Sequence, residues 1–366
     1  MKDILFILIS GILIIFGDCA ETQNGCDYEH DIRTYFCKNI HDAFPNVFYG
    51  NYHLQCVKCN IRTFTNRTFP YTNNLVSFNA SESGIRAIAW RAFSSLTNIQ
   101  YIYLQNNEIQ EIAPDAFWGL RQVYEVHLEN NHLENAVPGF LNDLEANTVL
   151  LNNNNIKTLP NSLFGGSLGF LILDLSKNFI KTVHEDAFFG LENLEVLNLE
   201  NNHICHLTLG VFKHLHTLRQ LNLADNKLTK FTIGTFSGLT NLNTLNLANN
   251  SVSVFDGNIL IPFDHMSRLD LSGNGIYYLD ANSIHVNVPT LKTLRIDDNL
   301  LSCIHLINII QFFKKMHVQV INTVGRYHVQ NVNGIACTEM ILTHPVEFEQ
   351  FLIVAKDDTK KSIQYC

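Results

Sequence analysis

The sequence predicts an α/β solenoid in which short parallel strands stack into one continuous sheet. A phrase of the form L-x-x-L-x-L-x-x-N-x-L occurs ten times between Leu75 and Leu301, with a period of about 24 residues. Its clearest copies read LEVLNLENNHI, LRQLNLADNKL and LNTLNLANNSV. A fixed period in this range is typical of a protein whose units cannot bury their apolar face alone and therefore stack on their neighbours.

The asparagine of the phrase fixes the register of the ten copies. Successive positions are separated by 24, 24 and 23 residues, then five times by 24, and finally by 25. They are Ser83, Asn107, Asn131, Asn154, Asn178, Asn202, Asn226, Asn250, Asn274 and Asn299. This pattern is the leucine-rich repeat, and it predicts a horseshoe with a concave parallel β-sheet made of ten repeats of about 24 residues.

Each repeat carries two further columns that explain its stability. The alternating leucines predict a short strand with one face inward. The asparagine follows the strand, where its amide can bond backbone groups that the turn would leave buried, so Asn202→Leu should cost about 1–3 kcal/mol. A phenylalanine column is expected to fill the convex side: Phe93, Phe117, Phe140, Phe164, Phe188, Phe212 and Phe236.

The amino-terminal segment predicts export. One lysine precedes an apolar run from Ile4 to Phe16, which is too short to span a membrane and typical of a signal peptide over residues 1–20. Its removal takes away Lys2, Asp3 and Asp18 and changes the formal net charge from −9 to −8. We therefore expect a secreted, soluble protein with no membrane anchor, and its acidity argues against nucleic acid or anionic membranes as partners.

The cysteines divide the remaining chain into an array between two disulfide-bonded caps. The expected segments are an N-terminal cysteine cap (21–74), the repeat array (75–301), a C-terminal cap (302–337) and a tail (338–366). Cys26, Cys37, Cys56 and Cys59 allow three pairings, among which the sequence does not choose. Cys303 and Cys337 bracket a predicted amphipathic closing helix, CIHLINIIQFFKK, and form the natural pair of the second cap. A zinc or redox role for Cys56-x-x-Cys59 is the weaker alternative.

Cys205 and Cys366 remain outside these pairs. Cys205 stands in an otherwise almost entirely polar column of the repeat, so we expect it to be exposed, and Cys366 is the last residue. Three alternatives stay open: an internal Cys205–Cys366 bond, an intermolecular bond that would give a disulfide-linked dimer, or inert thiols.

The outward strand positions on the concave face form the predicted binding surface. A sheet of this length suits a macromolecular partner, either a protein or a cell-surface glycan. The N-terminal third carries Tyr101, Tyr103, Tyr124, Glu125, His127 and Glu129, and Leu150, Ile172 and Val196 are expected to follow in equivalent positions as an apolar patch. Exposed tyrosines beside an apolar cluster have the composition of a binding hot spot. The alternative is that outward strand positions simply favour Tyr, Ile and Val.

Three glycosylation sequons begin at Asn66, Asn79 and Asn249. A glycan at Asn79 or Asn249 would direct a partner towards the middle repeats, unless these sequons are unused. The sequence contains no catalytic motif and no complete metal-ligand set, so it predicts no enzyme, no cofactor and no metal ion.

Residues 26–337 resemble extracellular leucine-rich-repeat arrays with cysteine caps. The copies DAFWGLRQVYEVHLENNHL and DAFFGLENLEVLNLENNHI resemble the ectodomains of Toll-type receptors and slit-like guidance proteins. The reduced C-terminal cap, the four-cysteine start and the Asn-rich array are most similar to the secreted leucine-rich immune proteins of mosquitoes among insects. That resemblance implies a haemolymph factor that pairs with related chains and engages complement-like proteins. Those proteins usually continue into a coiled coil, whereas no sustained heptad follows Cys337 here.

Two classes of function follow from these expectations. The first is a soluble recognition factor of innate immunity that binds a microbial surface or a complement-like partner. The second is an adhesion or signalling ligand that binds a host receptor or matrix component.

Overall fold

The structure is a computed structural model that describes most of the repeat array and parts of both caps. The described residues are 25–45, 50–57, 59–69, 74–321 and 331–338, together with the backbone of three strands, Ile7–Ile9, Ile12–Ile14 and Ala20–Gln23. Most of the expected signal peptide (1–20) and of the expected tail (338–366), including Cys366, lies outside the described residues.

One 15-stranded sheet runs through the solenoid, with its strands in sequence order. The strands are Ala20–Gln23, Cys26–Glu29, Thr34–Lys38, Tyr52–Val57, Leu75–Asn79, Tyr101–Tyr103, Val123–His127, Ala146–Leu150, Ile172–Asp174, Val196–Asn198, Gln220–Asn222, Thr244–Asn246, Arg268–Asp270, Thr293–Arg295 and Gln319–Ile321. The first two pairs are antiparallel and all later pairs are parallel. The predicted parallel solenoid is confirmed, and strand Tyr52–Val57 adds a turn to the ten predicted, giving about 11.

Short strands and three helical segments complete the described elements. The strands pair as Thr63–Phe64 with Ala87–Ile88 and Glu111–Ile112, Thr158–Leu159 with Thr182–Val183, Val254–Phe255 with Tyr278–Leu279, Asn331–Val332 with Ile335–Ala336, and Ile7–Ile9 with Ile12–Ile14. The helical segments are a 3-10 helix (Gly257–Leu260), helix α1 (Ala281–Asn287) and helix α2 (Cys303–Lys315). No helix in the described part of the chain is long and apolar enough to cross a membrane.

The asparagine column forms a buried ladder that bonds each repeat to the preceding one. The side-chain amide of Asn202 donates to the carbonyls of Leu175 and Leu199, and its oxygen accepts the N–H of Ile180 at 3.0 Å. The same three kinds of bond recur from Asn107 to Asn299. The expectation that these amides satisfy buried backbone groups is confirmed.

The core consists of the inward leucines and the phenylalanine column. All seven phenylalanines are buried, and neighbours stack, as between Phe93 and Phe117 with ring centroids 5.1 Å apart. Each fully buried ring contributes about 1.5–3 kcal/mol of hydrophobic stabilisation. The core is continuous along the array, because each ring packs against the next repeat.

Helix α2 closes the C-terminal end of this core, as the amphipathic pattern predicts. It begins after Ser302, whose side chain accepts the N–H of His305, and it buries Leu306, Ile309 and Phe313. The buried side chains recur at helical spacing, so one face of the helix covers the last repeat while the other faces solvent.

Disulfides brace both ends of the array. Cys26 bonds Cys37 across the antiparallel N-terminal pair, Cys56 bonds Cys59, and Cys303 bonds Cys337. The sequence did not determine how the first four cysteines pair. Cys205 is half-buried rather than exposed, since its sulfur folds back to 3.5 Å from the carbonyl oxygen of His203, and it is disulfide-bonded.

Candidate binding surface on the concave face

Each strand of the repeat array presents two outward positions that flank one inward residue. Parallel pairing aligns these positions into two rows. The first row is Ser77, Tyr101, Glu125, Thr148, Ile172, Val196 and Gln220. The second row is Asn79, Tyr103, His127, Leu150, Asp174, Asn198 and Asn222. The rows determine which predicted site residues are neighbours.

Three tyrosines form a continuous aromatic surface, here called the tyrosine cluster (Tyr101, Tyr103 and Tyr124). The Tyr101 ring lies 6.3 Å from Tyr103 and 5.6 Å from Tyr124, measured between centroids. Tyr124 is 48% exposed, and the other two are half-buried. Burial, followed by the charge of Glu125 and by Tyr101, raises the pKa of Tyr103, so its hydroxyl keeps its proton.

A histidine between two carboxylates adjoins the tyrosines, and we call Glu125, His127 and Glu129 the His127 cluster. His127 Nδ1 lies 2.9 Å from Glu129 Oε1, and Nε2 lies 3.2 Å from Glu125 Oε2. Because ionised carboxylates only accept, contacts from both ring nitrogens favour the imidazolium form of His127. Burial alone lowers the pKa of His127, but the bonds and charges of Glu129 and Glu125 outweigh it and raise the pKa.

The aliphatic residues do not form the single row that the sequence suggested. Ile172 and Val196 are direct neighbours in the first row, and Ile172 is 39% exposed. Leu150 stands in the second row beside His127 and Asp174, and it is half-buried. The expectation of three equivalent positions is therefore wrong for Leu150, which lies diagonally opposite Ile172. Counting back from the ladder asparagines reproduces the observed rows, because Leu150 lies four residues before Asn154 whereas Ile172 lies six before Asn178.

Beyond these residues the concave face becomes polar. Asn198, Asn222 and Asn246 lie side by side in the second row. At the far end Arg295 bonds Asp270 at 2.7 Å and lies 3.4 Å from Asp297, so the charges there neutralise one another. The exposed apolar and aromatic groups of the rows are concentrated in the N-terminal half.

The sequons occupy different parts of the surface. Asn66 is exposed in a turn, and Asn249 is exposed at the residue before a ladder asparagine. Asn79 pairs with Tyr103 in the second row and accepts the backbone N–H of Ser81 through its side-chain oxygen. A glycan on Asn79 would therefore lie beside the tyrosine cluster.

A cavity on the far side of the solenoid was not foreseen from the sequence. It measures about 980 Å³ and is lined by Ile88, Trp90, Ile112, Pro114 and Val137 among others. It opens where the ladder of short strands is interrupted between Glu111–Ile112 and Thr158–Leu159. The ladder of short strands is interrupted again between Thr182–Val183 and Val254–Phe255, where every repeat has 24 residues, so the repeat spacing does not predict this cavity.

Beside this cavity an arginine is held between two tryptophans. The guanidinium carbon of Arg91 lies 4.5 Å from the ring centroid of Trp90 and 3.9 Å from that of Trp118. Such cation–π contacts stabilise partly exposed rings. Among the described side chains, no three His, Cys, Asp or Glu residues come together in a metal-binding arrangement.

Comparison with known proteins identifies the repeat. The family described as leucine rich repeat matches residues 73–133, 145–204, 192–252 and 216–276, which together make up more than half of the chain. In the comparison with curated proteins no relative matches.

Several solved structures share the architecture at low sequence identity. A chain of the octameric complex of Latrophilin 3, Unc5D and FLRT2 (LRR) is 18% identical, with a TM-score of 0.68 over 86% of this chain and 95% of that chain. A chain of the glycosylated Toll–Spatzle complex of Drosophila is 18% identical, with a TM-score of 0.53 over 74% of this chain and 48% of that chain. A chain of the TLR13–ssRNA13 complex is 20% identical, with a TM-score of 0.47 over 73% of this chain and 50% of that chain. The chain thus spans about half the length of the Toll and TLR13 chains, and the similarities to the chains of the FLRT2 and Toll–Spatzle complexes establish the fold.

Proposed function

We propose that this chain, which belongs to the leucine-rich repeat family, recognises a macromolecular partner through its concave face and acts in innate immunity. The partner would be a microbial surface or a complement-like protein. The repeat fold is a protein-binding scaffold, and we propose no enzymatic activity for it.

The observation that carries this proposal is the grouping of exposed aromatic and aliphatic side chains on one rigid sheet. The ring of Tyr101 contacts those of Tyr103 and Tyr124, and Ile172 and Val196 lie three and four strands further on in the row of Tyr101. Tyrosine rings bury much area at a low cost in side-chain entropy, and strands hold them more firmly than loops do. The polar asparagine rows beyond them offer no comparable group.

The double substitution Tyr103→Ala with Ile172→Asp tests the proposal. We expect it to abolish capture of partners from native body fluid, measured by crosslinking and mass spectrometry, without affecting secretion. Gln220→Asp is the matched control, because it places the same charge in the same row two repeats beyond Ile172. If the double variant and the control capture partners equally well, the binding site lies outside this surface.

An adhesion or signalling ligand is the second candidate. The similarity to a chain of the FLRT2 complex favours it, because that match covers 95% of the other chain. The Toll–Spatzle structure, described as a hub in development and innate immunity, favours the immune function. Binding of the purified protein to bacteria and haemolymph proteins would support the immune function, whereas binding to host cells alone would support adhesion.

Export and covalent assembly belong to the same proposal. Sequencing of the amino terminus of protein from the culture medium would locate the signal-peptide cleavage, and glycosidase treatment would reveal use of Asn66, Asn79 and Asn249. The bonded state of Cys205 in a single chain supports an internal bond over a disulfide-linked dimer. Migration as a dimer on non-reducing electrophoresis would reverse that preference.

A further inference from the structure

We propose that the His127 cluster and the tyrosine cluster together form a subsite for an arginine side chain of the protein partner. This inference rests on the proposed binding function of the concave face, and it specifies the chemistry of one contact. The two clusters adjoin directly, because the rings of Tyr103 and His127 lie 4.9 Å apart between centroids.

The His127 cluster carries an excess of negative charge that the described chain leaves uncompensated. One imidazolium faces two carboxylates, so one negative charge is in excess. The buried second oxygen of Glu129, Oε2, has no hydrogen-bond partner among the described residues. A buried carboxylate oxygen without a donor is costly, so Glu129 favours a cation nearby, and the exposed carboxylate of Glu125 is the group that an incoming guanidinium contacts.

No described residue that adjoins the cluster in the two rows is a cation. In the two rows, its neighbours are Tyr101 and Tyr103 on one side and Thr148 and Leu150 on the other. Gln105 and Asn152 occupy the positions that correspond to Glu129 in the adjacent repeats. The next ionisable group along the second row is Asp174, which adds negative charge.

The tyrosines supply the second element of recognition. A guanidinium stacks on aromatic faces while its fork donates to carboxylates, a combination that the compact ammonium of lysine reproduces poorly. The ring of Tyr124, the most exposed of the cluster, packs against the ring of Tyr101. Glu125 follows Tyr124 in the sequence. An extended partner strand that crosses the face could thus place one arginine between rings and carboxylates.

Protonation of His127 competes with the incoming arginine for the same oxygens. The imidazolium satisfies Glu125 and Glu129 simultaneously, whereas neutral imidazole has one N–H and leaves one carboxylate without a donor. The titratable groups that face His127 are Glu125 and Glu129 on its own segment and Tyr101 and Tyr103 on the preceding strand. Arginine binding should therefore strengthen as pH rises.

Peptide titration of the intact secreted protein tests the inference. The probes are the blocked peptides Ac-GRGRG-amide and Ac-GQGQG-amide, and the readout is the imidazole NMR signal of His127 in histidine-labelled protein. We expect the arginine peptide alone to shift this signal, with tighter binding at about pH 8 than at about pH 5.5. Equal responses to both peptides, or tighter binding at the lower pH, would overturn the assignment.

Two matched variants distinguish recognition of arginine by the His127 cluster from attraction of arginine by the net negative charge of the protein. Glu129→Gln should weaken binding of the arginine peptide about fivefold. Glu200→Gln removes one carboxylate from the corresponding position three repeats later and should leave binding unchanged. Equal losses in both variants would mean attraction by net charge alone and would overturn the subsite. If Glu129→Gln is not secreted, Glu125→Gln decides by the same measurement, since that side chain is 43% exposed.

Failure of the arginine subsite can be distinguished from failure of the proposed binding function. If Tyr103→Ala with Ile172→Asp abolishes partner capture but Glu129→Gln leaves peptide binding intact, the concave face binds its partner without this arginine contact. If capture survives the double substitution while the arginine peptide still depends on Glu129, the subsite exists and the proposed partner surface is wrong.

Discussion

Replacing Asn202 with leucine removes the middle of the asparagine ladder while keeping the side-chain size similar. The native amide donates to the carbonyls of Leu175, Leu199 and Glu200 at 3.0, 3.1 and 3.2 Å, and it accepts the N–H of Ile180 at 3.0 Å. Leucine replaces none of these bonds. The carbonyl of Leu175 still accepts from Asn178 and that of Leu199 from Asn226, so the buried N–H of Ile180 is the group that would lose its partner.

The expected cost follows from that count. One unsatisfied buried N–H costs about 1–3 kcal/mol, and the two carbonyls each lose one of their two side-chain donors. That equals the range that the sequence alone suggested. It corresponds to about a fivefold to hundredfold loss in the folding equilibrium, since 1.4 kcal/mol is about tenfold.

Guanidinium denaturation followed by circular dichroism measures the change, and hydrogen exchange at Ile180 tests its cause. Asn147→Leu is the matched control, because Asn147 is exposed on the sheet and its side chain makes no hydrogen bond to a described residue. We expect the control to stay within about 0.5 kcal/mol of the parent. A change in Asn202→Leu no larger than in the control, with unaltered exchange at Ile180, would refute the ladder argument.

Three further predictions use other contacts. Phe188→Ala should cost about 3–5 kcal/mol by opening the buried column, whereas Phe189→Ala, at a side chain 46% exposed, should cost far less; equal denaturation midpoints would contradict this. Replacing Cys303 and Cys337 together by serine removes a link across 34 residues and should cost about 3–4 kcal/mol, and an unchanged midpoint would count against it. The raised pKa of His127 predicts a stabilisation that is complete below about pH 6.5 and is lost as pH rises through the folded pKa. His127→Gln should remove this pH dependence from the free energy of unfolding. If the dependence on pH is unaltered in the variant, it comes from another group.

The architecture was predictable because the same pattern of leucines and asparagine occurs in each of the ten repeats. The spacing of the asparagines established the register, and the alternation around Leu197 established which residues point inward. Helix α2 followed from apolar spacing between Cys303 and Lys315. Because ten copies give the same strand register, an error in reading any one copy has little effect on the predicted fold.

The site was only partly predictable, because it depends on cross-strand neighbours rather than on position in the repeat. The tyrosines were correctly expected on the outward face, but Leu150 was assigned to the wrong row. The pairing of His127 with Glu125 and Glu129 requires a rotamer that no periodicity encodes. The cavity beside Trp90 lies where the ladder of short strands is interrupted, and the repeat spacing does not predict that interruption.

The asparagine ladder also gives the array a direction. Asn202 bonds Leu175 and Ile180, and Asn226 bonds Leu199 and Ile204, so each asparagine completes the repeat before its own. During synthesis on the ribosome, a repeat therefore obtains its last internal bonds only when the following asparagine has emerged. The growing chain always carries one unfinished turn at its leading edge, and secretory chaperones would meet that single turn rather than a wholly unfolded array.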